Sequence, residues 1–269
     1  MEKNVAEMSN KIKEIRIGNI SFKVSEDCFP KGTKEGFASE WFKEYWTRVG
    51  EGEWEPQTFE IFRRFLDKEH SYLDIGAWIG PTVLYGCQLA EHCYAIEPDP
   101  IAIKKLRENI NLNPLLKNKI GVHELAITDK NGQADLGNAR DYFGNSMSGI
   151  LFKSSGKSFE VKSIRLEDFI EENKIENLNF IKIDIEGGEV VVLPDSKRYL
   201  EENKPTIHLS LHPFWFENLE QDSEKIIDSI RKYKSYFDNK GKRLSLNEIR
   251  SRMLKKEGFD IVITDKGEG

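Results

Sequence analysis

The chain has 269 residues, 38% of them hydrophobic and 32% charged, with a formal net charge of −6. That composition excludes a largely disordered chain. The acidic balance argues against a nucleic-acid partner, which a basic footprint would announce, and no apolar run approaches the roughly 18 residues of a membrane span.

The start, "MEKNVAEMSNKIKEIRI", is charged and lacks the apolar core of a signal peptide. Cys28, Cys87 and Cys93 show no C-x-x-C spacing. They read as reduced thiols, and a cytoplasmic location is expected. In "EIRIGNISFKV" the residues Ile15, Ile17, Ile20, Phe22 and Val24 alternate about Gly18-Asn19, a hairpin signal. Residues 35–49 carry Phe37, Trp41, Phe42 and Tyr45 at helical spacing. A second helix is expected from about Glu55, with Pro56 in its first turn and Phe59, Phe62, Phe65 and Leu66 as its buried stripe. Residues 1–54 thus read as an extension, hairpin and helix, capping a larger domain over 55–269.

A regular pattern follows. "SYLDI", "CYAIE" and "KIGVHELAI" read as strands, separated by the helices "PTVLYGCQLA" and "PIAIKKLRENINLN". Strand–helix–strand alternation predicts an α/β fold with a parallel sheet and right-handed crossovers. From Thr128 to Ile164, "TDKNGQADL", "SGILFK" and "FEVKSIRL" read as a small antiparallel β insertion. "LEDFIEEN" is a helix, "LNFIKID" and "PTIHLSLH" are further parallel strands, "SEKIIDSIRKYK" is a helix and "GFDIVITD" a last strand. No repeat, low-complexity tract or linker divides the chain, so a single compact domain is expected overall.

In "YLDIGAWIGPT" an apolar strand ends in an acid, Asp74, before the turn Gly76-Ala77-Trp78-Ile79-Gly80. Open α/β sheets bind ligands beyond the carboxyl ends of their strands. Glycines there tolerate positive φ and let a ligand approach the backbone. The next strand ends in Glu97-Pro98-Asp99, and an acid at that tip suits the two hydroxyls of a ribose. Both NAD and S-adenosylmethionine carry such a ribose. The dinucleotide fingerprint G-x-G-x-x-G, however, has a central glycine that faces a pyrophosphate, and here Gly76 and Gly80 are separated by three other residues. Asp74 also suits a cationic amino group better than a phosphate. S-adenosylmethionine is the expected cofactor. Asp99 reads either as a cofactor contact or as the N-cap of the following helix.

"YLDIGAWIG", "AIEPDP", "NINLN", "LAITDKNG" and "FIKIDIEGGE", in this order and spacing, resemble the FkbM family of class I S-adenosylmethionine-dependent methyltransferases over roughly residues 54 to 212. The resemblance implies a Rossmann-like, seven-stranded, mostly parallel sheet with a reversed last strand and helices on both faces. It implies O-methylation of a hydroxyl on a sugar, glycoconjugate precursor or secondary metabolite, so a small-molecule or glycan substrate is expected. It places Ala126 and Asp129 near the adenine, and Ser146, with Asn145 and Ser148, near the cofactor. It puts Glu55 of "EWEPQTF" at the amino-acid end, and Asp184 beside the methyl sulfonium. Trp78 and Pro81 depart from the family pattern in the glycine turn.

His208 and His212 share one strand face, and only His212 reaches the strand tip. Asp184 and His212 are therefore the expected catalytic pair: His212 as general base, oriented or electrostatically supported by Asp184. Glu189 reads as an acid at a helix N-terminus. Asp184, Glu186 and His212 also carry ligand atoms suited to Mg²⁺ or Mn²⁺, although no spacing demands a metal. The aromatic residues Phe37, Trp41, Phe42, Tyr45 and Trp46, with Phe214, Trp215 and Phe216, suit either the core or a lid, and the last three suit stacking on a sugar ring. The rival readings are an NAD-dependent oxidoreductase, a non-catalytic cofactor-binding protein, and a methyltransferase acting on protein or nucleic acid.

Overall fold

A computed structural model describes residues 11–28, 44–138, 143–151 and 158–266. The chain opens with the antiparallel hairpin β1 (Ile12–Ile17) and β2 (Ile20–Ser25). Gly18 turns it at φ +60°. Ile15, Ile20, Phe22 and Val24 are buried on one face, as their alternation predicts. Helices α1 (Tyr45–Glu51) and α2 (Pro56–Phe65) follow. Phe37, Trp41 and Phe42 lie outside the described residues. Tyr45 and Trp46 are fully buried, Tyr45 edge-on against Trp78 at 4.9 Å, so these two rings are core rather than lid.

Next come β3 (Ser71–Ile75), α3 (Pro81–Gly86), β4 (Cys93–Ile96), α4 (Pro100–Asn111) and β5 (Ile120–His123). Short strands β6 (Ala126–Ile127), β7 (Gly132–Asn138), β8 (Ser148–Gly149) and β9 (Phe159–Ile164) build the insertion. The chain then returns through α5 (Leu166–Glu172), β10 (Leu178–Ile183), α6 (Glu189–Asp195), α7 (Lys197–Asn203) and β11 (Thr206–Leu211). It closes with α8 (Leu219–Ile230), β12 (Ser235–Asp238), α9 (Leu246–Leu254) and β13 (Phe259–Thr264).

Seven strands form one sheet in the order β12-β13-β11-β10-β3-β4-β5, with β13 antiparallel to both of its neighbours. This is the expected sheet with its reversed last strand. Two details differ from the sequence reading. "KIGVHELAI" is not one strand. β5 makes its last sheet contact where the His123 carbonyl accepts from Glu97 N–H at 3.1 Å. Beyond the bend, Ala126 and Ile127 pair in parallel with Ser163 and Ile164 of β9, so the insertion is antiparallel only between β7, β8 and β9. Second, β12 and α9 are additional elements. α9 starts with a capping box: the Ser245 side chain accepts from Glu248 N–H while Glu248 accepts from Ser245 N–H.

Each sheet face carries its own apolar core. Tyr72 and Phe180 face the hairpin and α1–α4, whereas Leu73, Ile75, Ile181 and Ile183 face the α5–α9 side. Period-two alternation puts Asp74, Lys182 and His208 on the Tyr72 face. The register sets Lys182 between the other two, opposite Asp74 on β3 and His208 on β11. The core on the Tyr72 face is thus interrupted by a buried charged row. Among the described residues no helix is long and apolar enough to cross a membrane.

The hairpin is locked to α4 by two asparagines of the "NINLN" stretch. Asn109 accepts from Ser25 N–H at 2.9 Å and donates to the Ile79 carbonyl at 2.9 Å. Asn113 accepts from Lys23 N–H at 2.8 Å and donates back to the Lys23 carbonyl at 2.6 Å. Removing the Asn109 amide would leave a buried N–H and a buried C=O unpaired, each costing about 1–3 kcal/mol. Asn109→Ala is expected to lower the unfolding free energy by about 2–4 kcal/mol in urea titration, with one cooperative transition for hairpin and sheet. A loss below about 0.5 kcal/mol, or a separate early transition, would contradict this coupling.

Candidate functional site at the strand tips

A cavity of about 390 Å³ opens at the carboxyl ends of β3, β4, β10 and β11. Its walls come from the turn after β3 (Gly76, Ala77, Trp78), the tip of β4 (Glu97, Pro98), the bend after β5 (Leu125 to Ile127) and the insertion (Asn145, Ser146, Ser148). Lys182, Asp184, Ile185 and Glu186 follow β10, and Ser210, Leu211 and His212 end β11. Trp54 and Glu55 close the side before α2. Of the residues expected at the cofactor, Glu55, Gly76, Ala77, Glu97, Pro98, Ala126, Ser146 and Asp184 line this cavity, as does His212.

Four expected cofactor residues do not line it. Asp74 is fully buried and stands behind Lys182, whose ammonium lies 3.4 Å from it. Gly80, at φ +95°, packs on α4: a Cβ there would meet Leu106 at 2.5 Å. Asp99 is the N-cap of α4, accepting from Ile101 N–H and Ala102 N–H. Its second oxygen accepts from Gly144 N–H at 2.7 Å and from the Ser148 hydroxyl at 2.8 Å, which ties the insertion to α4. Asp129 is exposed in the turn after β6, as "TDKNG" favours. Position in the sequence places Asp74 and Asp99 at the strand tips but does not turn their side chains into the cavity.

Gly76 has a reason beyond ligand approach. At φ +85° its Cβ would lie 1.8 Å from the Asp184 carbonyl oxygen, so only glycine lets the β3 turn and the end of β10 meet. The Glu97 carboxylate is held on both oxygens, by Trp78 N–H and by Asp99 N–H, each at 2.8 Å. Burial, with Asp99 adding to it, pushes its pKa up to about 8 against those two donors. Each oxygen keeps a lone pair beyond these two bonds, and in the ionised form, which those donors and Lys182 favour, the clamped carboxylate can accept from a ligand hydroxyl. Trp78, at φ +45°, donates from its indole nitrogen to the Gly144 carbonyl at 2.9 Å. The unusual tryptophan therefore stitches the glycine turn to the insertion.

Lys182 was not singled out in the sequence. Its ammonium lies 3.4 Å from Asp74 and 3.4 Å from Asp184 Oδ2, and donates to the Gly76 carbonyl at 3.3 Å. Burial disfavours the charged lysine, but Asp74, Asp184 and Glu55 outweigh it and raise its pKa. The same lysine and His212 overcome burial to hold Asp184 below its usual range. Glu55 accepts from the Thr58 hydroxyl at 3.1 Å, and burial, reinforced by Asp184, pushes it up to about 8. The available signal for Lys182 was a charged residue inside an apolar strand, two positions before Asp184.

At the far wall, His212 Nε2 lies 3.7 Å from Asp184 Oδ1 and 3.9 Å from Glu186 Oε2. The orienting partner is not Asp184. Nδ1 of His212 meets Glu189 Oε1 at 3.0 Å. Glu189 is fully buried and also accepts from Gly187 N–H at 3.2 Å. Burial opposes a charged imidazole here, but Glu189, Asp184 and Glu186 push the His212 pKa up to about 10. In the site as it stands the ring keeps its proton at neutral pH, which does not fit a free general base. Glu186 accepts from the Trp215 indole at 3.2 Å, and burial pushes it up to about 7. His208 is buried and structural, its pKa lowered by burial to about 4.

The seven-stranded sheet with one reversed strand and a cavity over its parallel tips is the class I methyltransferase fold. A model of the methyltransferase FkbM domain matches residues 74–244, and the chain belongs to that family of S-adenosylmethionine-dependent methyltransferases. It is 28% identical over 151 residues to the 2-O-methyltransferase NoeI of Sinorhizobium fredii (strain NBRC 101917 / NGR234), which covers 49% of this chain and 59% of that protein. The chain thus matches under two thirds of that relative's length. Among solved structures it is similar to the methyltransferase FkbM of Methylobacillus flagellatus KT, with a TM-score of 0.46 and 15% identity over 84% of this chain and 55% of that one. SMU.1697c of Streptococcus mutans, solved in complex with SAH, has a TM-score of 0.44 and 11% identity over 78% of this chain and 96% of that one.

Removing one partner of a buried charge pair typically costs about 3–5 kcal/mol. Lys182→Met is expected to destabilise by that amount in urea unfolding, and adding Asp74→Asn should recover about half. Strictly additive losses in the double variant would show that Lys182 and Asp74 are not coupled.

Proposed function

We propose that the chain transfers the methyl group of S-adenosylmethionine to a hydroxyl of a sugar or glycoconjugate precursor. One observation carries this reading: a single cavity is walled by the clamped carboxylate of Glu97 and by the Asp184–Glu186–His212 cluster. Glu97 ends β4, and the cluster follows β10 and β11, two and three strands away. At about 4.8 Å per strand the separation is on the order of 10–14 Å, which suits an adenosine ribose at one side and a reacting methyl at the other.

In this reading Glu97 takes the ribose hydroxyls. Ala126 and Ser146 flank the adenine, with Pro98 beside them. Gly76 and Ala77 take the methionine end by their backbone, next to Glu55 and Lys182. Asp74 acts through Lys182 rather than by contact, and Asp99 through the insertion it ties down. The spacing of Gly76 and Gly80 still counts against a pyrophosphate cofactor.

Methyl transfer is an in-line displacement. The hydroxyl oxygen forms the new C–O bond, and the C–S electron pair stays on sulfur. The protein aligns the two groups and excludes water. The hydroxyl proton must leave, and a carboxylate of the cluster receives it. Asp184, Glu186 and His212 all face the cavity, and a His212 that already holds its proton is not the base. A hydroxyl acceptor is supported by the 2-O-methyltransferase activity in the name of the Sinorhizobium relative. Phe214, 42% exposed and edge-on to His212 at 5.7 Å, offers an apolar face of the kind a sugar ring stacks on.

Calorimetric titration tests the cofactor assignment. S-adenosylmethionine and S-adenosylhomocysteine are expected to bind, NAD is not, and Glu97→Ala should weaken the sulfur cofactors by at least about 10-fold through the lost charge-assisted hydrogen bonds. Labelled methyl should then pass to a hydroxyl in a panel of glycan acceptors. Preferential NAD binding would replace this reading with an oxidoreductase. Cofactor binding without transfer to any hydroxyl would remove the acceptor class.

A further inference from the structure

The acids around His212 outnumber the cations that face them. Asp184, Glu186 and Glu189 surround one imidazole. Lys182 is already divided between Asp74 and Asp184. S-adenosylmethionine does not balance the site through turnover, because its sulfonium becomes a neutral sulfide when the methyl leaves.

The donor atoms are also arranged. One atom each from Asp184, Glu186 and His212 lies within 4.8 Å of the others. Asp184 Oδ2 is held by Lys182, which turns Oδ1 toward His212. Trp215 holds Glu186 Oε2. The fully buried Glu189 takes Nδ1 of His212 and leaves Nε2 aimed at the two carboxylates. A carboxylate behind the far nitrogen of an imidazole is the usual support of a metal-binding histidine. With Nε2 at 3.7 and 3.9 Å from the two oxygens and all three atoms within 4.8 Å of one another, a point no more than about 2.5 Å from all three exists, within the span of divalent-cation bonds to oxygen, about 2.0 Å for Mg²⁺ to about 2.6 Å for Ca²⁺.

We infer that Asp184, Glu186 and His212 form a divalent-cation site at the acceptor end of the cavity, with Glu189 as a positioning residue. A cation held there would displace the Nε2 proton to solvent and leave open positions for the acceptor hydroxyl. It polarises that oxygen as the C–O bond forms, and the proton passes to Glu186 Oε1, which neither Trp215 nor the cation holds. The transfer itself, with the electron pair retained by sulfur, is unchanged. This inference rests on the methyl-transfer reading for its role but not for its binding chemistry.

Mn²⁺ is the probe. Electron paramagnetic resonance is used to titrate Mn²⁺ into the full chain, with and without S-adenosylhomocysteine, after treatment with EDTA. One bound Mn²⁺ per chain is expected. Glu186→Gln and Glu189→Gln should each weaken it by about 10–100-fold, the first by removing a ligand and the second by releasing the ring. Calorimetry with S-adenosylhomocysteine on the same variants reports whether the pocket is still folded. No stoichiometric Mn²⁺ at millimolar concentration, or binding indifferent to both substitutions, overturns the cation site. If S-adenosylhomocysteine binds in that case, the methyl-transfer reading survives alone. If Mn²⁺ binds and the sulfur cofactor does not, the reverse holds.

Discussion

One buried ammonium organises the tips of the central strands. Lys182 stands in β10 between Asp74 of β3 and the Asp184 carboxylate that follows its own strand. Both faces of this sheet are covered, so an unpaired charge there would cost several kcal/mol. The lysine keeps Asp74 inside the fold, although burial still raises that carboxyl above its usual range. It also fixes which oxygen of Asp184 turns toward His212. The same ammonium donates to the Gly76 carbonyl, where the β3 turn crosses the end of β10. Packing and electrostatics meet at this point, and the cavity wall is built on it.

Around that centre, the two sides of the cavity use acids differently. Glu97 spends one hydrogen bond per oxygen on backbone N–H groups and is rigid before any ligand arrives. Such a preset acceptor loses little freedom when a hydroxyl binds. At the other side the acids are crowded against a single imidazole and are satisfied only in part by protein groups. A rigid recognition side and a charge-rich reacting side fit a cofactor that is held at one end and reacts at the other.

Much of the sheet was legible because its strands and helices alternate with clear apolar periods. "SYLDI", "CYAI" and "LNFIKI" are strands where their patterns place them. "KIGVHELAI" misled because apolar residues on both sides of His123-Glu124 read as one strand, and their pattern does not show that the chain bends there and changes sheet. α9 carried a readable capping box in "SLNE", a local signal that needs no tertiary knowledge. Site residues at strand tips were legible in position but not in direction. Glu97 and His212 face the cavity, whereas Asp74 faces a lysine in the neighbouring strand. The Glu189–His212 contact spans 23 residues and depends on how α6 sits against the end of β11. No spacing rule joins a helix-start acid to a histidine in the next strand, so the orienting acid could not be assigned before the fold was known.

The most direct measurement is a crystal structure of the complex with S-adenosylhomocysteine. The account predicts ribose hydroxyls on the Glu97 carboxylate, and the sulfur turned to the wall of Asp184, Glu186 and His212. A cofactor bound elsewhere, or with its sulfur turned away from that wall, would contradict the assignment of this cavity.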